Sequence, residues 1–180
     1  MGEWFQTIAD VDATPDEAAG LADEVVAWLV AEGIVLGGRT HCLLGAEDLG
    51  YPPGPRCARA ADDVDVPFPV GDGLDVRIGR TVFHGGQSGV DRVSCPHCGA
   101  SAEWDEVSDT IGTWFESGVG GHSCRACGRT AGLNDWGWDP PWAFGYLGFT
   151  FWNWPPLGSG FVADVASRLG HRVVVVADKL

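Results

Sequence analysis

A chain of 180 residues with 45% hydrophobic and 20% charged residues fits one ordinary globular domain, or one domain with a small inserted module, and not a disordered segment. Its 11 basic residues against 25 acidic give a net charge of −14. Lys179 is the one lysine, and the ten arginines form no cluster, so the counterion-displacing patch that nucleic-acid binding needs is missing.

Met1 to Gln6 is acidic, with no basic stretch before an apolar run, and Gln6 stands where a myristoylation motif has Ser or Thr. No apolar stretch approaches the roughly 20 residues that span a bilayer. A cytoplasmic, bacterial-type acidic protein with no membrane contact is the expectation.

In chain order, Trp4 to Val11 alternates as a strand. Thr14-Pro15-Asp16-Glu17 opens a helix as a capping box with Pro at the first helical position. Ala18, Leu21, Ala22, Val25, Trp28 and Leu29 then recur at helical spacing, and Gly33 ends the run. Ile34-Val35-Leu36 reads as a short buried strand. Tyr51-Pro52-Pro53-Gly54-Pro55 follows, then an acidic stretch (Asp62, Asp63, Asp65), then a hairpin-like Leu74 to Phe83.

The far end repeats the plan. Tyr146 to Trp152 reads as a strand, Gly160 to Leu169 as a helix stopped by Gly170, and Arg172 to Ala177 as a β-branched strand. Together the ends spell β-α-β twice. This order predicts an α+β fold, a ferredoxin-like βαββαβ sheet with helices on one face. Residues 1–39 and 143–180 would form that domain, with 40–92 an irregular or hairpin insertion, 93–130 a metal module and 131–142 an aromatic-rich connection.

The module rests on Cys95-Pro96-His97-Cys98-Gly99 and Cys124-Arg125-Ala126-Cys127-Gly128. A two-residue gap lets both sulfurs of a tight turn face one tetrahedral ion, and the following Gly lets amides approach the sulfurs. Four ligands close the site against water or substrate. Cys95, Cys98, Cys124 and Cys127 are therefore expected to hold one structural Zn²⁺. Over residues 93–130 the chain resembles a zinc ribbon with rubredoxin-type knuckles. Its 25-residue spacer would then carry strands at Glu103–Val107 and Thr110–Glu116. His97 or His122 could replace a sulfur, and an iron-loaded or redox-active site is an alternative.

Weaker signals remain. His84-Gly85-Gly86-Gln87-Ser88-Gly89-Val90-Asp91-Arg92 resembles the phosphate loop of some Rossmann-type nucleotide-binding proteins, but the first knuckle leaves no room for the helix such a loop needs. Aromatics crowd residues 136–154. Trp136, Trp138 and Trp142 sit among Asp, Gly and Pro, and are candidates either for packing the module onto the sheet or for an interaction surface. Cys42 and Cys57 read as reduced thiols unrelated to the metal, or as a nucleophile with His41 or His84 as base. Asp10 and Asp12, at a strand end, could face a cation. With no paired catalytic groups evident, the expected function is a non-catalytic protein-interaction module with a protein partner, of the kind seen in small bacterial adaptors. A nucleic-acid-associated factor and an unrecognised enzyme are the alternatives.

Overall fold

The computed structural model describes residues 3–43, 49–62, 73–86 and 89–179. Asp63 and Asp65 of the acidic stretch, and Gln87 and Ser88 of the Gly-rich loop, lie outside them. The described chain is a mixed α/β fold. Its main sheet has four strands: β1 (Trp4–Asp10), β2 (Leu74–Phe83), β7 (Ala143–Trp152) and β8 (Val173–Lys179). They lie in the order β2-β7-β1-β8, and every neighbouring pair is antiparallel.

Two helices cover one face. α1 (Ala18–Ala31) buries Ala18, Ala22, Val25 and Leu29, a 3.6-residue stripe. α3 (Ser159–Leu169) buries Phe161, Val165 and Leu169 and stops at Gly170, whose φ of 69° closes the helix in a left-handed turn. Both stripes meet Ile8, Leu74, Leu147, Phe149 and Phe151 in one apolar core. Each such large side chain removed from water contributes on the order of 2 kcal/mol. At the head of α1 half of the capping box forms: Thr14 N–H donates to the Glu17 carboxylate at 3.0 Å. The Thr14 hydroxyl also donates to that carboxylate, at 2.6 Å, rather than accepting from the helix.

The structure departs from the sequence expectation in two places. Ile34–Leu36 is not a sheet strand; Val35 makes a single bridge to Pro53. Gly54 N–H and Arg56 N–H bond the Ile34 and Gly33 carbonyls, which uses this stretch to brace the Pro-rich arm. The sheet's second strand is β2, one bulged strand where a hairpin was expected, within the span read as an insertion. It pairs along β7 from Leu74↔Phe151 to Phe83↔Ala143.

The second departure is between the knuckles, where the two expected strands are one helix, α2 (Trp104–Ser117). Val107, Ile111 and Trp114 fall at helical spacing, Asp105 and Glu106 complement the N-terminal dipole, and Gly118 at φ 75° caps the end. That periodicity outweighs the β-branched and aromatic content that suggests strands.

The sheet's other face is only partly covered. Phe5, Ala9, Phe83, Ala143 and Val176 cluster there. Trp114 of α2 packs edge-on to Phe144 at 5.5 Å, with Leu133 alongside.

Candidate metal centre

Each knuckle rides on a short antiparallel pair. β3 (Arg92–Ser94) pairs with β6 (Gly137–Asp139), and β4 (Gly121–Ser123) pairs with β5 (Thr130–Gly132). The turns repeat one hydrogen-bond pattern. Cys95 N–H bonds Ala100 O (2.9 Å) and Gly99 N–H bonds Cys95 O (2.9 Å); Cys124 N–H bonds Arg129 O (2.8 Å) and Gly128 N–H bonds Cys124 O (2.8 Å). Gly99 and Gly128 sit at φ 73° and 72°, where a side chain would be strained. His97 N–H points at Cys95 Sγ from 3.4 Å.

All four sulfurs lie within 4.8 Å of one another. Cys95 to Cys127 is 3.8 Å and Cys98 to Cys124 is 3.7 Å. A tetrahedral ion with sulfur bonds of about 2.3 Å sets its ligands roughly 3.8 Å apart, whereas a disulfide requires about 2.05 Å. The arrangement fits a metal ion. Cys95 and Cys124 are buried; Cys98 and Cys127 face solvent.

The sulfurs also compete for protons. The Ala100 N–H favours the Cys98 thiolate, but desolvation and the Cys124, Cys127 and Cys95 sulfurs outweigh it and push Cys98 up to about 12. The Cys127 N–H, with help from Ala126, draws Cys124 down to about 7 against desolvation. Negative charge gathered on sulfurs this close repels itself, and a bound cation would offset that repulsion.

Neither candidate histidine joins the cluster. His122 is buried, with Nδ1 3.0 Å from Thr110 Oγ1 and its ring 4.9 Å from Trp136. His97 is exposed at the knuckle tip.

The three tryptophans divide. Trp136 is 4% exposed and belongs to the module's own core with Val93, Cys95, Val107 and Cys124. Trp138 and Trp142 are half-buried and stacked on each other at 5.6 Å, and Trp138 donates to Leu133 O at 2.8 Å. The outermost aromatic of this group is Trp104, 47% exposed and edge-on to Trp142. Phe115, on the same helix, is 54% exposed.

Among the described residues no hydrogen bond joins Cys42 or Cys57 to His41 or His84. Burial pushes the Cys57 thiol up against the pull of the Ala58 N–H, the opposite of nucleophile activation. His84 holds its neighbour's carbonyl, Gly85 O, at 2.8 Å and lies on Trp142. Asp10 and Asp12 are committed to protein partners. Asp10 is fully buried and accepts from Asp12 N–H, Ala13 N–H and His171 Nδ1. The Arg172 guanidinium grips Asp12 and holds its carboxyl below the ordinary value.

Sequence reading missed Arg80. Its guanidinium donates to the last carbonyls of α2, Phe115 O (2.9 Å) and Glu116 O (2.6 Å), and to Tyr146 OH (3.2 Å). The signal was Gly79 inside a strand pattern, a bulge marker. Gly79 takes φ 114°, and the register of β2 shifts between Ile78 and Thr81.

Among the described residues no helix is long and apolar enough to cross a membrane. Compared with protein-family models, curated proteins and solved structures, the chain matches none.

Proposed function

We propose that this chain is a non-catalytic protein-interaction module in which a structural Zn²⁺, bound by Cys95, Cys98, Cys124 and Cys127, fixes a recognition helix on a ferredoxin-like sheet. The observation that carries this reading is the closed four-sulfur set: a tetrahedral ion there keeps no position for water or substrate. The ferredoxin-like reading draws support from the antiparallel order β8-β1-β7-β2 with α1 and α3 on one face. The repeated N–H and φ pattern of the turns supports rubredoxin-type knuckles, on a ribbon whose spacer is a helix.

The recognition element on this reading is the outer face of α2. It exposes Trp104 and Phe115 in one row, with Asp105, Asp109 and Glu116 exposed in the row beside them, while Glu106 is paired with Arg125. Aromatic anchors beside an acidic row suit a partner with an apolar groove flanked by Lys and Arg. Trp138 and Trp142 contribute by seating Trp104, and Trp136 by holding the module together. The net charge of −14 weighs against a nucleic-acid partner.

Two measurements test this. Elemental analysis should return one zinc per chain; iron instead would redden the protein and move the site to redox chemistry. Affinity capture from the source cells should then retain a defined protein with the wild-type chain and lose it with Trp104→Asp or Phe115→Asp, at unchanged zinc content. Capture indifferent to both substitutions, or abolished by nuclease, overturns the reading.

A further inference from the structure

The main sheet has two edges, and they differ. β2 is protected: Tyr51 exchanges both backbone bonds with Leu74 at 2.9 Å, the bulge at Gly79 interrupts the outer row, and Arg77 and Arg80 stand along it. These are the usual defences of an edge strand. β8 has charges only at its end, Asp178 and Lys179. Val173 to Ala177 contains no Pro, Gly or charge.

Two contacts fix which backbone groups of β8 face outward. Asn153 N–H bonds Trp4 O at 2.8 Å, so Trp4 turns its groups toward β7. Successive residues alternate, so Phe5, Thr7, Ala9 and Val11 turn theirs toward β8. Val11 N–H bonding Arg172 O at 3.2 Å agrees. The register Ala9↔Val174, Thr7↔Val176 and Phe5↔Asp178 then leaves Val173, Val175 and Ala177 pointing N–H and C=O away from the sheet. Lys179 also points outward, and its N–H is taken by Asp178 Oδ1 at 2.7 Å. Among the described residues no backbone bond reaches the outward groups of Val173, Val175 or Ala177.

We propose that two copies of this chain associate through β8, antiparallel about a two-fold axis at Val175, to form one continuous sheet of double width. The strand is self-complementary in that register. Val175 faces its own copy and Val173 faces Ala177, so every outward N–H and C=O of the three residues meets a partner. Val174 falls opposite Val176, which keeps the flanking side chains apolar on both copies. At the ends Arg172 comes opposite Asp178 of the second copy, an arrangement of unlike charges. The remaining charge opposes association, at −14 per copy, so added salt strengthens the dimer by screening.

Sedimentation equilibrium of the metal-loaded full chain tests this. The mass should rise across micromolar concentrations toward twice the 19.1 kDa of one chain, and more readily at high salt. Val175→Pro removes an outward N–H and none that faces β1, which an edge strand tolerates. It should weaken the dimer roughly thirtyfold, with circular dichroism unchanged, because the dyad removes two hydrogen bonds. In the unaltered protein, exchange at the Val173, Val175 and Ala177 amides should slow as concentration rises, while Val174 and Val176 stay slow throughout. A monomer at every concentration, a folded Val175→Pro variant that dimerises undiminished, or a dimer whose outward amides still exchange fast would each overturn the proposal.

Discussion

Asp10 shows how much one side chain organises away from the metal. Its Oδ1 takes the N–H groups of Asp12 (3.0 Å) and Ala13 (2.9 Å), which turn the chain out of β1, and its Oδ2 takes His171 at the end of α3 (2.9 Å). That hydrogen bond raises the His171 pKa above 6.5, against desolvation, with Glu17 and Asp12 adding to it. A histidine whose folded pKa exceeds its unfolded one contributes stability that is complete below about 6.5 and fades as pH rises through the folded value. Asp10→Asn keeps an oxygen for the two amides but presents an NH₂ to His171. The variant should lose about 2 kcal/mol below pH 6, the range for a hydrogen bond to a charged group, and visibly less above the raised pKa. Urea midpoints on both sides of that pH, with NMR titration of His171, check it. A loss independent of pH would mean that Asp10 acts only through the turn.

The elements were legible where periodicity and punctuation agree. The first strand and helix, and the whole C-terminal β-α-β run, could be read because Thr14-Pro15 with Gly33, and Gly170 with four successive valines, mark the boundaries of apolar stripes. The four metal-site cysteines could be read too, since the Cys-x-x-Cys-Gly spacing is local and carries its own turn geometry. Long-range choices were not legible. Ile34–Leu36 and Leu74–Phe83 are both apolar runs, and only pairing with β7 decides which joins the sheet. α2 reads as strand by composition and as helix by period, and its docking depends on Arg80, a residue unremarkable in sequence. Because the Gly79 bulge aims Arg80 at the C-terminal carbonyls of α2, Arg80→Ala should cost roughly 1–2 kcal/mol and free α2 from the sheet. Arg80→Lys should restore little, since one ammonium cannot reproduce a fork spread over Phe115 O, Glu116 O and Tyr146 OH. Thermal melts followed separately at Trp114 and in the far ultraviolet would reveal the uncoupling as two transitions, and one shared transition would count against it.

At the scale of the whole molecule, two cores of different origin share one seam. The sheet, α1 and α3 enclose a core of Ile8, Leu147, Phe149 and Phe151, large enough to persist by hydrophobic burial alone. Around its two buried sulfurs the cysteine module buries Val93, Val107 and Trp136, with smaller or half-buried neighbours such as Ile111, Ala131 and Trp138. On the proposed reading this smaller cluster draws on the bond energy of the metal, on the order of 10 kcal/mol for structural zinc. The seam is Trp114 on Phe144, with Leu133 and Arg80 beside it. Chelation, or Cys95→Ser, should therefore melt residues 92–139 first and leave the sheet standing. Of the helices, α1 has 14 residues, α2 has 14 and α3 has 11, so about a third of the helical signal should disappear with the metal while α1 and α3 remain. Amide exchange resolves the same point by residue: β4, β5 and α2 should open, and Ile8, Phe149 and Val176 should stay protected. Exposure of Phe144 should be the first sign that the seam has parted, because Trp114 and Trp138, both in the melting segment, pack on its ring. If helical signal vanished entirely on chelation, the seam would be integral to the sheet, and the metal would hold up the whole molecule.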